Sequence, residues 1–276
     1  MTHSIDTSPL GQKTAYISEY DASLLFPIPR SDSRKALGLT GDLPFHGKDI
    51  WTGYELSWLN QKGKPEVAVA EFSIPFDSQF IIESKSFKLY LNSLNQTKFS
   101  SWNKVEELLI KDLSLVARAR IDVRLYELSN SLALPINTTA ELSCIDELDV
   151  FVEQYHPDAG LLTVDNANIV SENLYSNLLK SNCPVTGQPD WASLFIEYSG
   201  AKINREALLR YVISFREHQD FHEHCVERIF VDILNRCQPK HLSVYARYTR
   251  RGGLDINPFR STSKTAEPGM GRLVRQ

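Results

Sequence analysis

A thiol and a carboxylate, Cys183 and Asp190, stand on a turn-rich stretch that leads into the apolar run around Leu194. A thiolate adds to electron-poor carbon, and a nearby carboxyl group can relay the proton that the addition displaces. The pair therefore indicates covalent catalysis. A structural buried thiol and an Asp that stabilises a turn would have the same residue types at the same spacing. The pair alone therefore leaves the function open.

Two further polar groups stand where predicted helices begin. Glu83, Ser84 and Lys85 precede one apolar stripe with helical spacing, and His222 opens another together with Glu223. The amides and positive end of a helix suit phosphate, and a carboxylate can accept hydrogen bonds from N–H donors of a ligand. An acidic residue at the same place can also simply compensate the helix dipole. Each group is thus a candidate both for ligand binding and for plain helix capping.

The elements that must position these residues occur twice in the same order. A β-rich run over 67–76 is followed by two predicted helices, the first from about Ser84, and by a strand over about 121–125. A shift of 121 residues superposes 70–127 on a second copy without a gap and pairs Tyr90 with Tyr211. The thiol and its polar neighbours belong only to the second copy, whereas the Glu-Ser-Lys stretch belongs only to the first. We expect a duplicated module whose site draws residues from both copies.

The remaining segments give weaker patterns. Residues 1–66 combine prolines with aromatic residues and predict an ordered but irregular arm of short elements. The connection between the copies predicts a helix around 169–179. The tail after residue 269 is short and basic, and we expect it to be frayed.

Composition narrows the class of function. The chain has 276 residues, of which 42% are hydrophobic, and a formal net charge of -4. No overall basic field is available for wrapping a nucleic-acid backbone, which favours a small-molecule partner. No run of about 18 apolar residues occurs and the N-terminus does not resemble a signal peptide, so neither membrane insertion nor secretion is expected. The four cysteines form neither a disulfide framework nor a C-x-x-C pair, and we expect a cytoplasmic protein.

Four motifs, in order along nearly the whole chain, carry a specific resemblance. They are residues 83–90, 183–191, 221–223 and 248–258. Together they resemble the NADPH-dependent nitrile reductases of the queuosine pathway, in particular the long, two-module form of the 7-cyano-7-deazaguanine reductase family. The resemblance implies an α+β protein of tandem tunnelling-fold (T-fold) modules. Each module would be an antiparallel sheet with a helix pair on one face, and modules would join into a barrel on oligomerisation.

The resemblance also implies a division of the chain and a reaction. The N-terminal module, with its irregular arm, would cover 1–155, and the C-terminal module 156–276, in a homodimer. The reaction would be the four-electron reduction of the nitrile of 7-cyano-7-deazaguanine (preQ0) to the primary amine of 7-aminomethyl-7-deazaguanine (preQ1). It would use NADPH and belong to tRNA queuosine biosynthesis, with no direct contact to nucleic acid or membrane.

Roles for single residues follow from the same resemblance. Cys183 would be the nucleophile that forms a covalent thioimide, and Asp190 would relay the proton. The substrate-binding residues would be Ile82, Glu83, Ser84, His222 and Glu223, and the cofactor-binding residues Ser84, Lys85, Arg251 and Gly252. No metal is implied.

NADPH would have to bind without a Rossmann-type loop, because no G-x-G-x-x-G pattern occurs. Lys85, Arg250 or Arg251 could select the extra phosphate that distinguishes NADPH from NADH. Each of these three residues could instead be an ordinary solvated charge at the protein surface.

Two other classes of function remain open. Zinc-dependent pterin or purine cyclohydrolase-like hydrolases share the implied fold, and four residues could be imagined as ligands, although their spacing is not a recognisable zinc pattern. They are Cys183, His222, His224 and Cys225. A noncatalytic purine- or pterin-binding module is the other class, in which Cys183 would be dispensable.

Overall fold

The computed structural model describes residues 16–129, 136, 137, 139 and 142–276. Contacts divide the chain into a first compact unit of 1–36, 49–135 and 250–255, and a second of 37–48, 136–249 and 256–276. Both units combine helices with antiparallel strands, so the predicted α+β class is confirmed. The predicted module boundary after residue 155 stays a prediction. No helix among the described residues is long and apolar enough to cross a membrane.

The helices and strands of the described residues follow one another along the chain in a mixed order. In order they are β1 (Pro27–Pro29), α1 (Arg30–Ala36), β2 (His46–Leu59), β3 (Pro65–Pro75), β4 (Phe80–Ile82), α2 (Ser84–Ser93), α3 (Trp102–Ala117), β5 (Asp122–Tyr126), β6 (Ser143–Cys144), β7 (Val164–Asn182), β8 (Pro189–Ile203), α4 (Arg205–Ser214), α5 (His222–Cys237), β9 (His241–Tyr248) and β10 (Leu254–Ser261).

The first unit is built on strands in the order β5-β3-β2. β3 pairs antiparallel with β5, with Phe72 opposite Val123. Phe72 and Trp51 both pack edge-on against Phe87 of α2, with ring centroids 5.0 and 5.1 Å away. Phe87 is fully buried, as the helical stripe predicts for this position. A short β1–β4 pair places Ile82 opposite Pro27.

The prediction of an irregular arm was wrong for residues 46–59, which form the long strand β2. Two buried polar residues conceal this strand in the sequence: Thr52 is 3% exposed and Asp49 is fully buried, bonded to Arg30 at 2.5 Å. Gly47 and Gly53 lower the strand propensity further. Residues 1–15 of the predicted arm lie outside the described residues.

The second unit has strands in the order β10-β9-β8-β7-β6. The helix predicted around 169–179 is wrong, because this segment belongs to β7, which forms a long antiparallel hairpin with β8. The register shifts between Ser176 and Leu179, so buried positions fall at Leu174 and Ser176 and then at Leu179 and Ser181. This bulge breaks the period of two and leaves a spacing that resembles a helix.

The helix pairs of the two units correspond closely. α2 and α4 begin at Ser84 and Arg205, which is the predicted shift of 121 residues. α3 and α5 instead correspond with a shift that is one residue smaller. The left-handed residues that end them are Arg118 and Gln238. His222 therefore corresponds to Trp102 rather than to Ser101, and the polar set still belongs to the second copy alone.

The tail after residue 269 is packed, so the prediction that it is frayed was wrong. Four rings lie side by side across β7, β8, β9 and β10 and form an aromatic row: Tyr175, Phe195, Tyr245 and Phe259. Leu273 packs on this row and is 6% exposed. The side chain of Gln276 donates to the carbonyl of Arg247 at 3.1 Å.

Candidate active site

Cys183 begins the turn that joins β7 to β8. Its amide donates to the carbonyl of Gln188 at 2.9 Å, and its carbonyl accepts from the amide of Gly187 at 3.0 Å. Gly187 has φ of +65°, a left-handed conformation that favours glycine. The thiol is 5% exposed. The turn-rich sequence thus holds one cysteine in a fixed backbone at the end of a hairpin.

Asp190 lies at the same end of the hairpin, paired with Ser181 across β7 and β8. It is 3% exposed, and its Oδ1 lies 3.3 Å from Nε2 of His222. Alternation along β8 places Asp190 on the same face as Ala192, and Ala192 is paired with Tyr248 of β9. α5 packs on β8 and β9, which brings its first residue, His222, over this face.

Backbone hydrogen bonds join Asn182, the residue before Cys183, to the segment before α5. The amide of Asn182 donates to the carbonyl of His218 at 2.8 Å, and the amide of Asp220 donates to the carbonyl of Asn182 at 3.1 Å. Lys180 supports this parallel bridge, because its Nζ donates to the carbonyl of Arg216 at 2.7 Å. The bridge fixes the start of α5, and hence His222, relative to the end of β7.

Asp220 is held by two imidazoles beside this bridge. Its Oδ1 lies 3.0 Å from Nδ1 of His224, and its Oδ2 lies 3.7 Å from Nε2 of His218. Burial alone would raise the pKa of Asp220, but the two histidines and the amide of Phe221 outweigh burial and hold the pKa well below its usual range. Asp220 is therefore a structural carboxylate of the loop that carries His222.

Tyr248 lies flat against His222. The two rings are parallel within 2°, with centroids 3.7 Å apart. Burial, followed by the neighbouring Cys225 and Asp190, raises the pKa of Tyr248 well above its ordinary value. Among the described residues its hydroxyl finds no hydrogen-bond partner of ordinary geometry, and neither does Nδ1 of His222.

Glu223, the second residue of α5, is 2% exposed. Its position in the first turn is the one where a negative charge compensates the helix dipole. Burial to this degree is unusual for a residue whose only task is to compensate a dipole, because a surface carboxylate serves that purpose without desolvation.

Glu83 in the first unit is the N-cap of α2. Its carboxylate accepts from the amides of Lys85 at 2.7 Å and Ser86 at 2.8 Å. Burial raises the pKa of Glu83 in spite of these bonds and the positive charges of Lys88 and Lys85. Asn204 occupies the corresponding position in the second unit and caps α4 by accepting from Ala207 at 2.9 Å.

The residues predicted to bind NADPH all lie in the first unit. Gly252 has φ of +57°, and a Cβ at this position would lie 3.2 Å from Cδ of Lys88, so the turn passes close to α2. Gly253, the next residue, has φ of +71°, which also favours glycine, and a Cβ there would meet the side chain of Glu55. Since Glu83 already accepts from the amides of Lys85 and Ser86, cationic side chains rather than free helix amides fit a phosphate here.

Comparison with known proteins identifies the family. Residues 16–125 match the family described as "Nitrile reductase, 7-cyano-7-deazaguanine-reductase N-term", and residues 189–267 match "QueF-like protein". The protein named NADPH-dependent 7-cyano-7-deazaguanine reductase from Bordetella avium is 54% identical over 99% of both chains. The chain belongs to the NADPH-dependent 7-cyano-7-deazaguanine reductase family. Proteins of the same name from Burkholderia multivorans and Hydrogenovibrio crunogenus are also 54% identical, over 98% of both chains and over 100% and 99% of the two chains, respectively.

Membership of this reductase family confirms the resemblance inferred from the four motifs. The alternative of a zinc hydrolase receives no support. Among the described residues, no group of three or more His, Cys, Asp or Glu side chains is arranged to hold a metal ion. His224 is instead bonded to Asp220, and burial raises the pKa of the Cys225 thiol well above its ordinary value.

The second unit brings together Asp190 and His222, and it places Cys183 at the same end of the hairpin as Asp190. Ile82, Glu83, Ser84, Lys85, Arg251 and Gly252 lie in the first unit. The sequence reasoning missed Tyr248 and Asp220 as residues that support the site. Tyr248 had a signal, since it ends the alternating apolar series Leu242, Val244, Ala246 along β9.

Proposed function

We propose that this chain reduces the nitrile of 7-cyano-7-deazaguanine to the primary amine of 7-aminomethyl-7-deazaguanine with NADPH, for queuosine biosynthesis. The name that the relatives share, at 54% identity over almost the whole chain, supports this reaction. The observation that carries the proposal is the buried thiol of Cys183 at the end of a hairpin whose other strand holds Asp190 against His222.

Covalent addition makes the nitrile reducible. The sulfur of Cys183 forms a bond to the nitrile carbon while one C–N π bond breaks, and the nitrogen takes up the proton of the thiol. Asp190, held by His222 at 3.3 Å, carries this proton from sulfur to nitrogen. The product is a thioimide, whose carbon accepts hydride more readily than the nitrile carbon does. Atoms balance, because addition releases no leaving group.

The cofactor supplies hydride when it is bound. In this chain Ser84 and Lys85 at the start of α2, and Arg251 and Gly252 in the neighbouring turn, would hold its phosphates and ribose. Lys88 lies beside Gly252 and adds positive charge to the same place. Arg250 is exposed, with its guanidinium 4.7 Å above the ring of Tyr54, which keeps it oriented as a further cation of this turn.

The substrate presents N–H donors on its guanine-like edge, and buried carboxylates are suited to accept them. We assign this role to Glu83 and Glu223, with Ile82, Ser84 and His222 as further substrate contacts. Glu83 keeps accepting capacity for a ligand, since a carboxylate offers about four lone-pair sites and the helix cap uses two of them.

The finer architecture belongs to the same proposal. Each unit has a strand, helix, helix, strand order, which supports tandem tunnelling-fold modules that join into a barrel in a homodimer. The partners are then a small molecule and a second copy of the chain. A formal net charge of -4 supports an enzyme that does not bind nucleic acid directly, and we propose that it acts in the cytoplasm.

A mass measurement without NADPH tests the reaction. Wild-type protein mixed with 7-cyano-7-deazaguanine should gain the full mass of the nitrile, and peptide analysis should locate the adduct on Cys183. Cys183→Ala should gain no mass and lose roughly 10³-fold or more in NADPH oxidation. The exposed Cys144 is the internal control, because it should remain unmodified. Turnover at the wild-type rate by Cys183→Ala would overturn the mechanism.

A further inference from the structure

We propose that Tyr248 is a positioning residue that fixes the plane of the His222 imidazole and so directs its Nε2 toward Asp190. The inference rests on the proposed function, in which Asp190 moves a proton. Tyr248 has no place in the reaction itself and does not need to touch the substrate.

The first observation that supports this proposal is the geometry of the stack between Tyr248 and His222. The rings of Tyr248 and His222 are parallel within 2° and their centroids are 3.7 Å apart, which is closer than the usual 4.5–7 Å of aromatic pairs. The Tyr248 ring is fully buried, and the His222 side chain is 11% exposed. Rotation of the imidazole out of this plane would drive it into the phenol ring.

The second observation concerns the polar atoms of His222. Nε2 lies 3.3 Å from Oδ1 of Asp190, whereas Nδ1 is buried and finds no partner among the described residues. One polar contact, between Nε2 and Asp190, cannot fix a ring by itself, because the imidazole can rotate about it. The stack supplies the missing constraint: the Tyr248 ring sets the plane, and Asp190 sets which edge of the imidazole points toward it.

The position of Tyr248 is itself well determined. Tyr248 is paired with Ala192 across β8 and β9, and its amide donates to Oδ1 of Asn257 at 3.0 Å. Asp190 is two residues from Ala192 on the same face of β8, so the stack and the carboxylate stand on neighbouring strands. We assign the effect to the ring of Tyr248, because the ring makes the contact with the His222 imidazole.

The test compares Tyr248→Phe, which keeps the ring, with Tyr248→Leu, which removes it. Tyr248→Phe should keep kcat within about twofold of wild type. Tyr248→Leu should lower kcat by roughly 10²-fold and leave KM for NADPH nearly unchanged, because a small misplacement of the proton relay affects the chemical step. In a His222→Ala background, Tyr248→Leu should cost less than about twofold more, since its effect passes through His222.

Nuclear magnetic resonance gives a readout that needs neither nitrile nor NADPH. The ring protons of His222 should be shifted upfield by the Tyr248 ring in wild type and in Tyr248→Phe. One tautomer, with the proton on Nε2, should dominate in both and become mixed in Tyr248→Leu. Tyr198→Leu is the matched control, because Tyr198 is equally buried on β8 but bonds to Glu172. It should destabilise the protein without changing the His222 tautomer.

Three results would overturn the proposal. They are an absent upfield shift in wild type, an unchanged tautomer and kcat in Tyr248→Leu, and an undiminished effect of Tyr248→Leu when His222 is alanine. If Tyr248→Leu does not fold, Tyr248→Met removes the ring with a flexible side chain of more similar volume. Failure of the proposed reaction would instead leave the wild-type protein without turnover while the resonance result stands.

Discussion

Glu83 shows how one residue can combine a structural and a binding task. Glutamate is not among the preferred N-cap residues, which are Asn, Asp, Ser, Thr and Gly, and Asn204 fills the corresponding cap in the second unit. Burial raises the pKa of Glu83, and we propose that a ligand rather than the cap accounts for a longer carboxylate at this position. Sequence reasoning left both readings open, because a spacing pattern does not separate a cap from a binding residue.

Substitutions at Glu83 should separate the two tasks. Glu83→Asn should keep the cap and stay within about 0.5 kcal/mol of wild type in the free energy of unfolding, whereas Glu83→Ala should lose about 1 kcal/mol. Both should weaken binding of 7-cyano-7-deazaguanine, measured by calorimetry. Asn204→Ala is the control, with a similar loss of stability and unchanged affinity. Full affinity in Glu83→Asn would remove Glu83 from the substrate edge.

Asp220 should make the stability of the protein depend on pH in the acid range. A carboxyl group whose folded-state pKa lies below its unfolded value, about 3.9, stabilises the fold above that value and loses this effect as the pH falls through the folded-state pKa. Urea unfolding should therefore show Asp220→Asn to be less stable than wild type above about pH 5, with the difference shrinking below about pH 4. Asp122→Asn, at a side chain 70% exposed, should show no such difference.

At the scale of elements, the helices were the predictable part of this fold. Periodic apolar residues located α2, α3, α4 and α5, because each buries one stripe. Buried polar residues hid strand β2, and a bulge hid strand β7. Both features are stabilised by contacts between residues distant in sequence, which a local pattern does not reveal. The same limit applies to the site: motifs located Cys183 and Asp190, whereas the stack of Tyr248 on His222 depends on strand pairing.

The packed tail should contribute to stability through Leu273. Leu273 lies against Phe195, Tyr245 and Phe259, so Leu273→Ala should lower the free energy of unfolding by about 2 kcal/mol or more, measured by urea denaturation. Val274, which is 88% exposed, provides the neighbouring control, and Val274→Ala should change stability by less than about 0.5 kcal/mol. Equal effects of the two changes would mean that the tail does not pack as described.

At the scale of the whole molecule, the proposed reductase reaction should not require a metal ion. Purified protein treated with a strong chelator should oxidise NADPH in the presence of the nitrile at an unchanged rate, measured by absorbance. Elemental analysis of the same sample provides the second measurement. Stoichiometric zinc that is lost together with activity would contradict the proposed function and favour a metal-dependent hydrolase.

The bridge between Asn182 and the segment before α5 has a consequence for motion. Asn182 takes part in both hydrogen bonds of this bridge. The end of β7 therefore cannot separate from the segment before α5 without breaking both. The end of β7 beside Cys183 and the start of α5 at His222 should therefore open to solvent as one cooperative unit. The amides of Asn182 and Asp220 should then exchange their protons together. A ligand that is covalently held at Cys183 would then slow proton exchange in a segment to which it is not attached.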